Sequence, residues 1–309
     1  MSRAFVFPGQ GSQAIGMGRA LAEAYPAARA VFDEVDDALG ERLSALIWEG
    51  AIEDLTLTQN AQPAIMATSM AALAALEAEG LGMEHVSFVA GHSLGEYSAL
   101  CAAGAIDLAD TARLLRIRGV AMQEAVPVGV GAMAAVLGLD YAAVVEVAAE
   151  AAGDEVCQVA NDNDPGQVVI SGHRGAVERA CEIAKAKGAK RALLLPVSAP
   201  FHCALMEPAG AVMGEALAGV VVRDPSVPVV VNVRAEAVTE ADRVRALLVA
   251  QVTGEVRWRE SVQWLVGAGV TEYWEIGAGK ALSGMIKRIE RETVQRAVST
   301  PEDIAALKG

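Results

Sequence analysis

The 309-residue chain carries 25 Lys and Arg against 39 Asp and Glu, a formal net charge of −14. A fold this acidic repels a phosphate backbone, which needs clustered cations, so nucleic-acid binding is excluded as its main task. With 53% hydrophobic and 21% charged residues, it has enough apolar material for a large core and too much for disorder.

In chain order, residues 4–8 read as a short strand running into Gly9-Gln10-Gly11-Ser12. Helical patterns follow over about 16–48, broken at Pro26, and residues 63–79 predict one long apolar helix. The uncharged run 55–76 holds Gln59, Asn60, Gln62 and Pro63. Its apolar part falls short of the roughly 20 residues that span a bilayer, so no membrane association is expected. Residues 86–90 are apolar except for Ser87 and bounded by polar residues and glycine, the pattern of a buried strand. A helix over 96–103 follows, then another over 107–124 with Asp107 as N-cap and Asp110 at N3 in a capping-box arrangement.

Between about 127 and 196 the pattern changes. Strands are predicted at 131–137, 156–160, 168–171 and 192–195, with helices at 140–151 and 176–187 and a turn over 161–166. That β-α-β-β-α-β order is the ferredoxin-like split βαβ unit. It reads as a small domain, 127–196, inserted into a large α/β domain made of 1–126 and 197–309. Later strands at 229–233 and 273–276 alternate with helices at about 240–250, 258–267 and 279–291, which predicts a mainly parallel sheet.

The first residues lack the apolar stretch and small-residue cleavage site of a signal peptide. Cys101, Cys157, Cys181 and Cys203 show no C-x-x-C and no paired spacing. A cytoplasmic protein with reduced cysteines is expected, with no disulfide and no metal.

Gly91-His92-Ser93-Leu94-Gly95 lies between a predicted strand and a predicted helix. This is G-x-S-x-G in the context of a nucleophile elbow, where a tight turn projects the serine hydroxyl. The Leu94 N–H then sits at a helix N-terminus and can meet an oxyanion. The alternative is a plain helix N-cap serine. Among His85, His92, His173 and His202, the first suits a surface and the second adjoins Ser93 with its side chain turned away. His173 belongs to the small domain. His202, in Ser198-Ala199-Pro200-Phe201-His202-Cys203 just before a helix, is the candidate base, against the reading of a satisfied surface histidine. No Asp or Glu lies beside it to orient the ring; a backbone carbonyl could do so, because a base needs only its tautomer fixed.

Arg113 and Arg116 share one face of the 107–124 helix, expected to be solvated, while Arg118 falls about 200° from Arg116 among Leu114, Leu115, Ala121 and Met122. A guanidinium on an apolar stripe needs an anionic partner. A salt bridge to a core carboxylate, snorkelling at the stripe's edge and a clamp for a substrate carboxylate remain open. Gly9-Gln10-Gly11-Ser12-Gln13-Ala14 matches a dinucleotide fingerprint formally, but the required second strand ending in an acid is replaced by a helical pattern over 28–39. Gly279-Lys280 fails the P-loop pattern, with Trp274 where glycine is needed and Ala281 in place of Ser or Thr.

Several motifs together resemble the malonyl-CoA:acyl-carrier-protein transacylase family. They are Phe7-Pro8-Gly9-Gln10-Gly11-Ser12-Gln13, Gly91-His92-Ser93-Leu94-Gly95-Glu96-Tyr97, Arg116-Ile117-Arg118-Gly119 and Ala199-Pro200-Phe201-His202. Ala160-Asn161-Asp162-Asn163 with Pro165-Gly166-Gln167, and Gln251-Val252-Thr253 with Val256-Arg257-Trp258, extend the likeness nearly end to end. The resemblance implies an α/β-hydrolase-like large domain and transfer of a malonyl group from malonyl-CoA to acyl carrier protein through a malonyl-serine. It casts Ser93 as nucleophile, His202 as base, the N–H groups of Gln10 and Leu94 as oxyanion hole, and Arg118 as clamp for the malonyl carboxylate. It also implies that a main-chain carbonyl near Gln251 orients His202, and it places Gln62 and Asn161 near the cleft. Phe201 resembles the malonyl-selective type. Gly254-Glu255 departs from the family, which often has Ser/Thr-Pro there. No cofactor is implied, and a monomer serving fatty-acid synthesis is expected. A polyketide assembly line, or a serine esterase or thioesterase, is the alternative. Lys185, Lys187, Lys190 and Arg191 form one cationic cluster; Lys280, Lys287, Arg288 and Arg291 form a second, expected to help dock an acidic carrier.

Overall fold

The computed structural model describes residues 2–308; residues 1 and 309, the outer bounds expected for the large domain, lie outside them. Ten strands form two sheets: β1 (Ser2–Phe7), β2 (Phe88–Gly91), β3 (Gly131–Leu137), β4 (Cys157–Asp164), β5 (Gln167–His173), β6 (Arg191–Leu194), β7 (Val229–Val231), β8 (Glu236–Val238), β9 (Val270–Ile276) and β10 (Val294–Val298). The larger sheet has the order β10-β9-β1-β2-β7-β8. Its neighbours are parallel except β8, which returns antiparallel on β7. Of the inner strands, β2, β7 and residues 4–7 of β1 are apolar runs because both faces are covered, while β9 also carries the buried Glu272 and Glu275. The short β8 and the edge strand β10, whose Val294 is exposed, carry no such run and were not legible in the sequence.

The small sheet has the order β4-β5-β3-β6, antiparallel throughout, with Arg174–Ala186 and Tyr141–Ala152 packed on it. That is the order of a ferredoxin-like split βαβ unit. It has its own core of Val136, Val144, Ile170, Val177 and neighbours. One expectation here is corrected. Residues 161–164 are not a turn but the end of β4, and all four of these polar side chains are buried. Three of them find side-chain partners from outside the small sheet. Asp162 accepts from Arg259 Nε at 2.9 Å, Asp164 accepts from Arg288 Nε at 2.8 Å, and Asn163 Oδ1 pairs with His92 Nε2 at 2.8 Å. The Asp162 N–H donates to the Val256 carbonyl at 3.0 Å, so backbone pairing continues from the small sheet to the link between the helices Ala241–Thr253 and Trp258–Gly267.

Two helices over the large sheet position the site. Thr58–Ala78 is buried almost all round and starts before Pro63 rather than at it. Proline leaves the carbonyl four residues earlier, that of Gln59, without its helical donor. Arg116 Nη1 supplies one at 2.7 Å, and its guanidinium also pairs with Glu41, so Arg116 is a half-buried brace rather than a solvated residue. In Leu108–Glu124 the expected capping box does not form. The Asp107 carboxylate accepts from Arg223 and that of Asp110 from Arg113. A true capping box closes Pro301–Ala306 instead, between Thr300 and Asp303. Among the described residues no helix is long and apolar enough to cross a membrane.

Candidate active site

The site forms at the carboxyl ends of β1 and β2, which run side by side with Phe7 opposite Gly91. Ser93 follows β2 at φ 53°, ψ −109°, and opens the helix Leu94–Ala102 without capping it through its side chain. An L-residue in the left-handed region carries roughly 1–3 kcal/mol of strain, and the surroundings hold it there. Asn232 Oδ1 accepts from the Ser93 N–H at 2.8 Å while Asn232 Nδ2 donates to the Gly91 carbonyl at 2.7 Å. Crowding explains the flanking glycines. A Cβ on Gly91 would lie 1.9 Å from the Gly95 carbonyl oxygen, and one on Gly95 would lie 2.2 Å from that of Phe7.

His202 approaches from the other side of the cleft, buried, also at positive φ (59°), just before a 3₁₀ turn and the helix Glu207–Ala218. Its Nε2 lies 2.7 Å from Ser93 Oγ. Its Nδ1 lies 3.0 Å from the carbonyl oxygens of both Gln251 and Gly254. Carbonyls only accept, so Nδ1 carries the proton and Nε2 presents a lone pair to the serine. The second acceptor is the glycine at which the sequence departs from its family pattern; the helix Ala241–Thr253 ends there with Gly254 as its C-cap. Burial, followed by the charges of Arg118 and His92, pushes the His202 imidazole down to about 3. It is therefore neutral across the physiological range.

Arg118 is 1% exposed and makes no ion pair among the described residues. Its Nη1 donates to Gln62 Oε1 at 2.8 Å, and its Nη2 donates to Gln251 Oε1 at 2.9 Å and to Ser93 Oγ at 3.1 Å. The guanidinium lies 5.6 Å from the Tyr97 ring centroid, and its Nε has no partner. Of the alternatives open in the sequence, neither a direct core salt bridge nor snorkelling occurs. Gly119 lets the two long helices close here, since a Cβ on it would meet the Gln59 Cα at 2.5 Å.

A cavity of about 320 Å³ joins these groups, lined by Gln10, Gln62, Ser93, Leu94, Arg118, Asn161, Phe201 and His202. The Gln10 and Leu94 N–H groups have no acceptor among the described residues. Gly9 holds the Gln10 loop against the elbow, where its Cβ would lie 2.7 Å from the His92 carbonyl oxygen. Asn161 bridges to Val256 at the cavity wall, and His92 packs on Trp258 while pairing with Asn163. His85 is exposed and His173 accepts the Val156 N–H within the small sheet. Sequence reasoning missed Asn232 and Glu96. Glu96 Oε2 accepts from the Asn232 N–H at 2.8 Å and from Gln251 Nε2 at 2.9 Å. Its place one helical turn after the serine was the only available signal.

The acyl transferase domain family matches residues 4–296. A malonyl CoA-acyl carrier protein transacylase of Bacillus subtilis (strain 168) is 49% identical over 302 residues, 97% of this chain and 94% of that protein. One from Escherichia coli (strain K12) is 47% identical over 303 residues, 98% and 97% of the two chains. The crystal structure of an acyl-carrier-protein-S-malonyltransferase from Bartonella henselae is 56% identical and superposes with a TM-score of 0.97 over 99% of this chain and 98% of that one. A type II PKS acyl-carrier protein in complex with its malonyl-transacylase matches at 43% identity and a TM-score of 0.96, covering 99% and 98%. The chain belongs to the acyl transferase domain family and, within it, to the malonyl CoA-acyl carrier protein transacylases.

Proposed function

We propose that this protein transfers the malonyl group of malonyl-CoA to the phosphopantetheine thiol of acyl carrier protein, by a ping-pong route through a malonyl ester of Ser93. The observation that carries the proposal is a serine hydroxyl 2.7 Å from a neutral imidazole nitrogen and 3.1 Å from a buried guanidinium that touches no carboxylate among the described residues. His202 Nε2 takes the serine proton as Oγ attacks the thioester carbonyl, a contribution of about 10²–10⁴-fold. The Gln10 and Leu94 N–H groups receive the developing oxyanion, where one such donor is worth roughly 2.7–4 kcal/mol. CoA leaves with the proton from His202. The carrier thiol then gives its proton to His202, attacks the ester, and the proton returns to Ser93 as the acyl–oxygen bond breaks.

Arg118 holds the malonyl carboxylate, which replaces the neutral amide oxygens of Gln62 and Gln251 with a charged acceptor. Gln251 sets the orientation of both Arg118 and His202, and Asn161 and Gln62 shape the cavity wall. The reaction needs no cofactor and no metal, since proton and acyl group pass only between named side chains and substrates. We also propose that residues 127–196 are a unit inserted into a large catalytic one, that the protein acts as a cytoplasmic monomer, and that its product feeds fatty-acid synthesis. The carrier docks on the edge bearing Lys280, Lys287, Arg288 and Arg291. A transfer assay with malonyl-CoA and holo-carrier tests the reaction. Malonyl-carrier should form much faster than free malonate, and the reverse order would replace a transferase with an esterase.

A further inference from the structure

Arg118 and Glu96 are each 1% exposed, carry opposite charges and form no ion pair with each other. One side chain joins them. Gln251 Oε1 accepts from Arg118 Nη2 at 2.9 Å, and Gln251 Nε2 donates to Glu96 Oε2 at 2.9 Å. An amide can bridge this pair only one way round, with its oxygen toward the cation and its nitrogen toward the anion. The same nitrogen donates to the Ser93 carbonyl at 3.0 Å, so the polarity of this amide sets where both Arg118 and the serine turn sit. A buried guanidinium without any anion nearby is strongly disfavoured. The other neighbours supply none. Tyr97 and His202 face the same space, and burial holds the first phenolic and the second neutral. The helix Thr58–Ala78 carries no charged residue before Glu77, β7 carries none, and the last turns of Ala241–Thr253 contribute only Gln251.

We infer that Glu96 is the resting counter-ion of Arg118, aimed through the Gln251 amide, and that a malonyl carboxylate arriving at Arg118 takes over this role and leaves Glu96 to take up a proton. This rests on Arg118 receiving the acyl carboxylate, as proposed above. The charge count then balances. One cation and one anion in the free site become one cation and two anions with malonyl bound, and one proton from solvent restores neutrality. Glu96 Oε2 is occupied by the Asn232 and Gln251 N–H groups, whereas Oε1 has no partner and is the oxygen left for that proton. Burial already holds this carboxyl up to about 7, so both forms are accessible near neutrality. Glu96 touches no substrate; it is a positioning residue that acts through Gln251 and Asn232. Above neutrality the ionised carboxylate opposes the malonyl carboxylate, so malonyl loading weakens as pH rises through this window.

The test counts protons. Wild-type protein is mixed with malonyl-CoA in weakly buffered solution containing a pH indicator, and the uptake is divided by the malonyl adduct found by intact mass. Near pH 7 a half-ionised carboxyl that becomes neutral takes up about half a proton per adduct. Uptake should shrink toward zero near pH 5.5 and grow toward about one by pH 7.5–8, after subtracting the ionisation of released CoA. In Glu96→Gln, whose amide oxygen can still accept both N–H groups, uptake per adduct should vanish and the pH dependence of loading should flatten. An infrared band of a protonated carboxyl should appear with the wild-type adduct, a reading that needs no variant to fold. Adduct without proton uptake at any pH overturns the counter-ion role and leaves the transferase standing. Failure of the wild type to form any adduct overturns the reading beneath it.

Discussion

Replacing Arg118 by alanine isolates what a buried guanidinium contributes to acyl selection. In the free site Nη1 and Nη2 already donate to the amide oxygens of Gln62 and Gln251. The malonyl carboxylate therefore adds only the difference between a charged and a neutral acceptor. The guanidinium is itself charged, so what the carboxylate adds is the attraction of a second full charge, about 4 kcal/mol at 4 Å and an effective dielectric of 20. Desolvating the carboxylate offsets part of this and leaves about 2–4 kcal/mol, or roughly 30- to 1000-fold in kcat/KM. An acetyl group has no carboxylate and should lose almost nothing. The assay is the kcat/KM ratio of malonyl-CoA to acetyl-CoA with holo-carrier, alongside thermal melting, because the variant also strips Glu96 of its countercharge. Arg118→Lys keeps the charge without the planar fork and should fall between. A malonyl-to-acetyl ratio unchanged in a folded Arg118→Ala protein would refute the clamp.

Three further outcomes follow from the geometry. Gly95→Ala places a Cβ 2.2 Å from the Phe7 carbonyl oxygen and 2.9 Å from that of Pro8. Backbone cannot yield as a side chain does, so the loop carrying the Gln10 N–H must shift, and kcat should drop about 10²–10³-fold, the effect of losing one oxyanion donor; wild-type kcat would contradict the crowding. His202 is held neutral down to about 3 in the fold but takes up a proton near 6.5 when unfolded. The unfolded chain binds the extra proton between those values, so stability is lost as pH falls from about 6.5 toward 3. Melting temperatures over that range should show this loss reduced in His202→Gln; identical profiles would show the imidazole is not responsible. Lys280→Glu with Lys287→Glu should raise the carrier KM and weaken its salt dependence without changing malonyl-CoA loading. Arg288 is best left intact, because it already binds the buried Asp164. An unchanged carrier KM would remove this edge as the docking site.

What was legible in the sequence was what depends on local pattern. Ser93 stood on a strand-to-helix turn, Arg118 interrupted an apolar stripe, and His202 followed a proline break, so all three could be singled out before any fold was known. Their convergence could not, because it depends on β1 and β2 lying side by side and on the helix Leu108–Glu124 closing over Thr58–Ala78 at Gly119. The roles of Asn232 and Glu96 were hidden for the same reason, since they consist of contacts across more than 130 positions of chain, although Glu96 stands within the serine motif. The turn expected over 161–166, which forms only at 165–166, shows the opposite error. Asn, Asp, Pro and Gly favour turns locally, but Arg259, Arg288 and His92 reach these side chains and let β4 continue through them. The positive φ of both Ser93 and His202 left no trace in composition, since neither is glycine.

The central claim is a covalent malonyl group on Ser93 that moves on to a carrier. Intact-mass measurement of the protein after mixing with malonyl-CoA, before and after adding holo-acyl carrier protein, tests it most directly. The account predicts one malonyl group on the wild-type chain, its discharge onto the carrier, and no adduct on Ser93→Ala. An unmodified wild-type chain, or a malonylated Ser93→Ala chain, would contradict it.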